Sequence, residues 1–245
     1  MPNLDLSGPR LKLARAKHHI RDLESLFDAF ISNNPHRIET EVDDQGIKVI
    51  GRFDRPIPVE TSAIIGDAIH NIRASLDHLV AAAVRANGQQ VSRYNSFPMY
   101  EKKSDFEGGV AGKLAGCSDA FVGFVKSREP YGGGKGAKIY AISKMDNLDK
   151  HITLLPTVAV TSLKKITITN PDGSPKLTIG ELHLSGDGHV NAIQAVGQGL
   201  KFEAGTKPVF SVRFRDADMN NTVEVVPYLR SMCDDAADII ENAKS

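Results

Sequence analysis

The chain has 245 residues, 41% hydrophobic and 24% charged, with 30 basic and 30 acidic side chains and a formal net charge of zero. That balance argues against a disordered chain and against a global field that would draw in nucleic acid or an anionic membrane. Two distant cysteines, Cys117 and Cys233, do not make a disulfide framework. The length suits one large domain or two modest ones. No apolar segment marks a secretory signal near the start, and no window approaches the ~20 apolar residues of a membrane span, so a cytoplasmic setting is expected.

Leu13, Ala16, Ile20, Leu23, Phe27 and Phe30 recur at spacings of three and four, which predicts an amphipathic helix over 11–31. Asn33, Asn34 and Pro35 end it. Alternation over 37–53 around Asp43-Asp44-Gln45-Gly46 predicts a β-hairpin, with Pro56 and Pro58 at its exit. A helix of about 25 residues follows, capped by Thr61 or Ser62 and closed at Asn87-Gly88. Phe97-Pro98 reads as extended, and Ser104-Asp105 and Ser118-Asp119 as caps of two short helices. Residues 129–134 read as a loop, and 137–149 as a fourth helix.

The texture then turns β-rich, with strands predicted over 153–160, 165–169, 176–184, 190–196, 209–215 and 222–226. Asn170-Pro171-Asp172-Gly173 is a strong turn signal. Pro227 opens a last helix whose stripe is Leu229, Met232, Cys233, Ala236, Ile239, Ile240 and Ala243. The fold class expected is α+β: a helical bundle of three long helices and one shorter, with a β-hairpin and an inserted antiparallel β-sheet. Residues 1–150 would form the bundle with its hairpin, 151–226 the β-rich segment, and 227–245 a helix returning to the bundle.

The most informative stretch is Gly66-Asp67-Ala68-Ile69-His70-Asn71-Ile72-Arg73-Ala74-Ser75-Leu76-Asp77-His78. At about 100° per residue, with Asp67 at zero, His70 falls near roughly −60°, Asn71 near +40°, Asp77 near −80° and His78 near +20°. The opposite arc holds Ile65, Ala68, Ile69, Ile72, Leu76, Leu79 and Val80, which would pack. Side chains that move protons or bind metals thus share one ridge, with the small Ala74 at its centre. Four readings are open. His70 or His78 could act as acid or base beside a carboxylate. His70 with Asp77, or Asp67 with His70, could bind a metal. Arg73 could hold phosphate while His78 moves a proton. The ridge could instead be a hydrogen-bond network that fixes helix packing.

Asp146-Asn147-Leu148-Asp149-Lys150-His151 repeats the same vocabulary at the end of the fourth helix. Lys150 and His151 suit a helix C-terminus, where the dipole favours cations. If this end packs beside the ridge, His151 and Asp146 complete a site. His19 stands three residues before Asp22, a metal spacing, although exposure is the simpler expectation for it. Gly132-Gly133-Gly134-Lys135-Gly136 lacks Walker A spacing and reads as a connector.

The pattern of Gly66 to His78, then Phe97-Pro98, Pro130-Tyr131 and Asp149-Lys150-His151, resembles a family of uncharacterised bacterial and phage-associated proteins. That resemblance implies a site location and no activity. A looser resemblance is to HEPN domains, helical bundles often acting as ribonucleases, whose mark of Arg and a following His is met by Arg73 and His78. On an ideal helix those two stand about 140° apart. The HEPN resemblance implies phosphodiester hydrolysis, with RNA or a nucleotide as partner. The catalytic set expected is His70, Arg73, Asp77 and His78, with Asp67, Asn71, Asp149, Lys150 and His151 as binding residues. No cofactor is assigned. The alternative is a non-catalytic module whose sheet binds a protein or a second copy of the chain.

Overall fold

The computed structural model describes residues 4–33, 36–43, 46–53, 56–151, 156–170, 172–183, 201–204, 208–214 and 223–243. In chain order the elements are α1 (Ser7–Ser32), β1 (His36–Asp43), β2 (Gly46–Phe53), α2 (Glu60–Ala86), α3 (Lys103–Lys113), α4 (Asp119–Ser127), α5 (Ala137–His151), β3 (Pro156–Thr169), β4 (Pro175–His183), β5 (Lys201–Ala204), β6 (Pro208–Phe214) and α6 (Val225–Glu241). None of the described helices is long and apolar enough to cross a membrane.

The chain divides into two compact units. One comprises Met1–Glu24, Ser62–Leu154 and Val226–Ser245; the other comprises Ser25–Thr61 and Leu155–Val225. The hairpin therefore groups with the β-rich segment and not, as its sequence position suggested, with the bundle. A two-stranded hairpin is marginal alone and takes its stability from further packing, which alternation along the chain does not identify.

The first unit is a helical bundle, and its core follows the apolar stripes. Leu13, Ala16, Ile20 and Leu23 of α1 are buried, as are Ile65, Ile69, Ile72, Leu76 and Leu79 of α2. Phe121 of α4, Ile142 of α5 and Leu229, Met232 and Ile240 of α6 complete it. Charged pairs lie along the helix edges: Arg10 donates from Nε to Glu241 at 2.9 Å, Lys138 pairs with Asp235 at 2.9 Å, and Arg128 with Asp238 at 2.8 Å. Such exposed pairs add little stability each.

Helix ends depart from the sequence reading in detail. α2 begins at Glu60, so Thr61 lies inside it, and among the described residues the buried Thr61 hydroxyl has no hydrogen-bond partner instead of capping. Gly88, at φ 71°, closes α2, with Gly88 N donating to Arg85 O and Gln89 N to Val84 O. α3 is capped by Lys102 with no side-chain bond, whereas Ser118 caps α4 by accepting from Phe121 N at 3.2 Å.

In the second unit, β1 and β2 pair antiparallel from His36↔Phe53 to Asp43↔Gly46. β3 is one 14-residue strand where the sequence pattern suggested two. It pairs antiparallel with β4 along one edge and with β5 and β6 along the other. The register with β6 shifts between Val160 and Ser162, and such an irregularity breaks strict alternation and so hides the strand's continuity. The turn between β3 and β4 is where the sequence placed it: Asn170 N donates to Ser174 O at 2.8 Å, and Gly173 takes φ 85°. The strand expected over 190–196 lies outside the described residues. α6 starts at Val225, two residues before Pro227, which still stands in the first turn, where its missing N–H costs nothing.

Candidate functional site

α2 buries its apolar arc almost completely: Ile65, Ala68, Ile69, Ile72, Leu76, Leu79 and Val80 are all at 0% exposure. The polar ridge is left on the other side, and the structure divides it into two edges.

His70, Arg73, Ala74 and Asp77 form the first edge and line a cleft of about 370 Å³. The other walls are Phe97, Met99 and Tyr100 from the segment after α2, Lys113 of α3, and Ser143, Asp146 and Asn147 of α5. Asp67, Asn71 and His78 form the second edge and do not line it. Asn71 Nδ2 donates back to Asp67 O at 2.8 Å, along its own helix. His78 is exposed and stands beside Gly8 of α1: a Cβ at position 8 would come within 3.1 Å of His78 Nδ1. The Arg73 and His78 pairing expected from the sequence is therefore not assembled. The two side chains face different neighbours, as their angular separation on the helix dictates.

Within the cleft, His70 Nδ1 lies 3.1 Å from Asp146 Oδ1. The carboxyl is buried, at 8% side-chain exposure, and the ring is open, at 60%. With the proton on Nδ1 directed at the carboxylate, Nε2 is the basic nitrogen. A carboxylate that fixes the tautomer and steadies an imidazolium is the orienting half of an acid–base dyad.

Arg73 is held on several sides. Its Nε donates to Asp77 Oδ2 at 3.3 Å, and its Nη1 to Ser143 Oγ at 2.7 Å and Met99 Sδ at 3.3 Å. Its Nη2 donates to Phe97 O at 3.5 Å. Asp77 Oδ1 in turn accepts from Phe97 N at 2.8 Å. The guanidinium thus ties α2 to α5 and to the segment carrying the fully buried Phe97.

Asp149 stands over Gly66. A Cβ at that glycine would fall 2.6 Å from the Asp149 Cγ, so the carboxylate keeps this position against hydrogen and would shift for a side chain. Burial, reinforced by the charges of Asp146 and Asp67, raises the Asp149 carboxyl above its ordinary range, while His70 opposes the shift. The beginning of α2 and the end of α5 are therefore neighbours. Lys150 and His151 continue α5, but their side chains lie outside the described residues.

Other motif elements converge on the same place. Tyr100 N donates to Pro130 O at 3.2 Å and Gly132 N to Tyr100 O at 3.2 Å, so Pro130-Tyr131 braces the cleft wall. The Tyr131 ring packs on Phe106 at 5.4 Å. The glycines of 132–136 serve close backbone approach: a Cβ at Gly132 would meet Glu101 O at 2.6 Å, and one at Gly136 would meet Arg128 O at 2.5 Å. That agrees with a connector.

Ser143, Lys113 and Tyr100 had escaped the sequence reading. Ser143, Asp146 and Asn147 follow helical spacing on one face of α5, a signal available once that face is known to meet α2. Lys113 and Tyr100 reach the cleft through tertiary placement alone. His19, expected at the surface, is buried at 7% exposure, and it is His18 that approaches Asp22, at 3.5 Å. Among the described residues no group of three His, Cys, Asp or Glu side chains is placed to hold a metal ion. No protein-family model, curated protein or solved structure matches the chain.

Proposed function

We propose that this chain is a phosphodiester hydrolase, acting on RNA or a nucleotide in a cytoplasmic setting, with His70 as its acid–base group. The observation that carries the reading is the 3.1 Å approach of His70 Nδ1 to the buried Asp146 carboxyl, in a cleft large enough for a small polar ligand. His70 Nε2 would take the proton of the attacking hydroxyl as its oxygen bonds phosphorus, and the imidazolium, stabilised by Asp146, would return that proton to the alkoxide oxygen released as the scissile P–O bond breaks. Arg73 and Asp77 serve as the frame that sets the cleft wall. This keeps the phosphodiester chemistry of the HEPN resemblance and moves its proton transfer from His78 to His70. In the same proposal the antiparallel strands are an insertion into the bundle between α5 and α6, apart from the chemistry.

A second reading has its own support. The four partners of Arg73 make a network that pins helices without any reaction. One experiment separates the two. Single-stranded RNA cleavage and Tm are measured for the wild type, His70→Ala and Asp146→Asn. The hydrolase reading expects cleavage reduced by about 100-fold or more in His70→Ala at a temperature where the Tm shows the variant to be folded. A wild-type protein that leaves RNA and cyclic or linear nucleotides intact, or a His70→Ala variant as active as wild type, overturns it in favour of the network.

A further inference from the structure

We infer that the outer lip of the cleft binds single-stranded nucleic acid, with a base stacked on Tyr94 and the adjoining phosphate held by Lys113. The inference rests on the phosphodiester reading above and names the part of the substrate that lies beyond the bond to be cleaved.

Tyr94 is 62% exposed, and its ring is held in place. The Arg93 guanidinium lies 4.8 Å from the ring centroid, and Arg93 Nη2 donates to Tyr94 Oη at 2.6 Å. A positioned aromatic face, backed by a guanidinium, suits any base, because every base offers a π-face. The segment bearing Tyr94 is tied to the end of α3. Asn95 Nδ2 donates to Lys113 O at 3.3 Å and to Ala115 O at 2.9 Å, and Ser96 N donates to Lys113 O at 3.4 Å. Two residues after Asn95, Phe97 forms the cleft wall. The two residues that follow Tyr94 are thus anchored to the Lys113 carbonyl.

Two cations line the cleft, Arg73 and Lys113. Arg73 is engaged by Asp77, Ser143, Met99 and Phe97. Among the described residues the Lys113 ammonium has no ion pair or hydrogen bond, which leaves it available to a phosphate. A chain of zero net charge has no general attraction for nucleic acid, so recognition would be local, with few phosphates neutralised and a shallow salt dependence.

The chain has no Trp, so Tyr94→Trp introduces the sole indole. In the cleavage-silent His70→Ala background, Tyr94→Trp is titrated with an eight-nucleotide oligouridylate. Stacking predicts saturable quenching of the indole. Lys113→Ala in the same background should weaken that binding by about tenfold and reduce its salt dependence by about one phosphate contact. No quenching at millimolar oligonucleotide, or quenching indifferent to Lys113, overturns the proposal and leaves Tyr94 an ordinary surface aromatic. The readout is independent of cleavage. Quenching by a protein that never cleaves RNA removes the hydrolase reading and keeps the lip; cleavage without quenching does the reverse.

Discussion

Gly66 of α2 lies directly beneath the carboxylate of Asp149 of α5, so the glycine that opens the polar motif and an aspartate within the chain's other polar cluster form one contact. Neither residue is explained by its own helix. A helical glycine is unfavourable relative to alanine by roughly 1 kcal/mol, and this one is accounted for by what sits on it.

Gly66→Ala should displace the Asp149 carboxylate. A methyl group placed 2.6 Å from Asp149 Cγ meets only the end of a half-buried side chain, which can turn outward to water. The variant should therefore lose the part of its pH-dependent stability that comes from Asp149, which chemical denaturation at pH 7 and at pH 4 measures; an unchanged dependence would mean that the carboxylate stays in place and α5 has moved instead.

Asp149→Asn should raise stability near neutral pH. Burial, then Asp146, then Asp67, raise the Asp149 carboxyl above its ordinary value of 3.8. In the window above 3.8 the folded state binds more protons at this group than the unfolded state does. Stability is therefore lost as pH rises through that window. The amide removes the buried charge, so the variant's Tm should exceed that of wild type at pH 7, and the gap should close as pH falls toward 4. A gap that is constant with pH would show that the charge is not its cause.

Arg73 and Asp77 should be strongly coupled. Removing either leaves the other facing partners arranged for a pair, and Phe97 N loses its acceptor if Asp77 goes. Each of Arg73→Met and Asp77→Ala should cost about 1–3 kcal/mol. In a double-mutant cycle the two should be non-additive by about 1 kcal/mol. Strict additivity would detach the pair from the cleft wall.

Much of this was readable from residues, and the unread parts share a cause. The period of α2 separated its buried arc from its polar ridge, and every apolar position named for that arc is buried. Ala74 at the centre of the ridge lines the cleft, as its small size suggested. Yet the same angles that gathered the ridge also divide it. His70 and Asp77 lie on one side of Asp67, and Asn71 and His78 on the other, so a neighbour can cover only one edge at a time. Which edge met α5 and which met α1 is a tertiary fact. Asp146 carried a signal because it repeated the motif's chemistry. Lys113 carried none, since a lysine ending a short helix looks like solvent dressing. The continuity of β3 was hidden by the register shift near Val160, and His19 was misplaced because two adjacent histidines point about 100° apart on a helix.

His19 offers the last test. Its ring is buried on α1, and burial, with Arg15 next, lowers its pKa below the ordinary 6.5; Asp67 and Asp22 oppose the shift, and His18 adds to it. The folded state therefore prefers neutral imidazole. Below 6.5 the unfolded chain takes up this proton before the folded one does, so stability falls as pH drops from 6.5 toward the folded value. His19→Gln cannot be protonated and should lose that part of the acid sensitivity, giving a flatter Tm profile between about pH 7 and 5 than wild type. If His19→Gln keeps the wild-type slope, the sensitivity comes from elsewhere in the bundle. If it flattens the curve, α1 contributes a neutral histidine to the core beside the charged ridge of α2, and Asp67 is the ridge residue that limits how far its pKa falls.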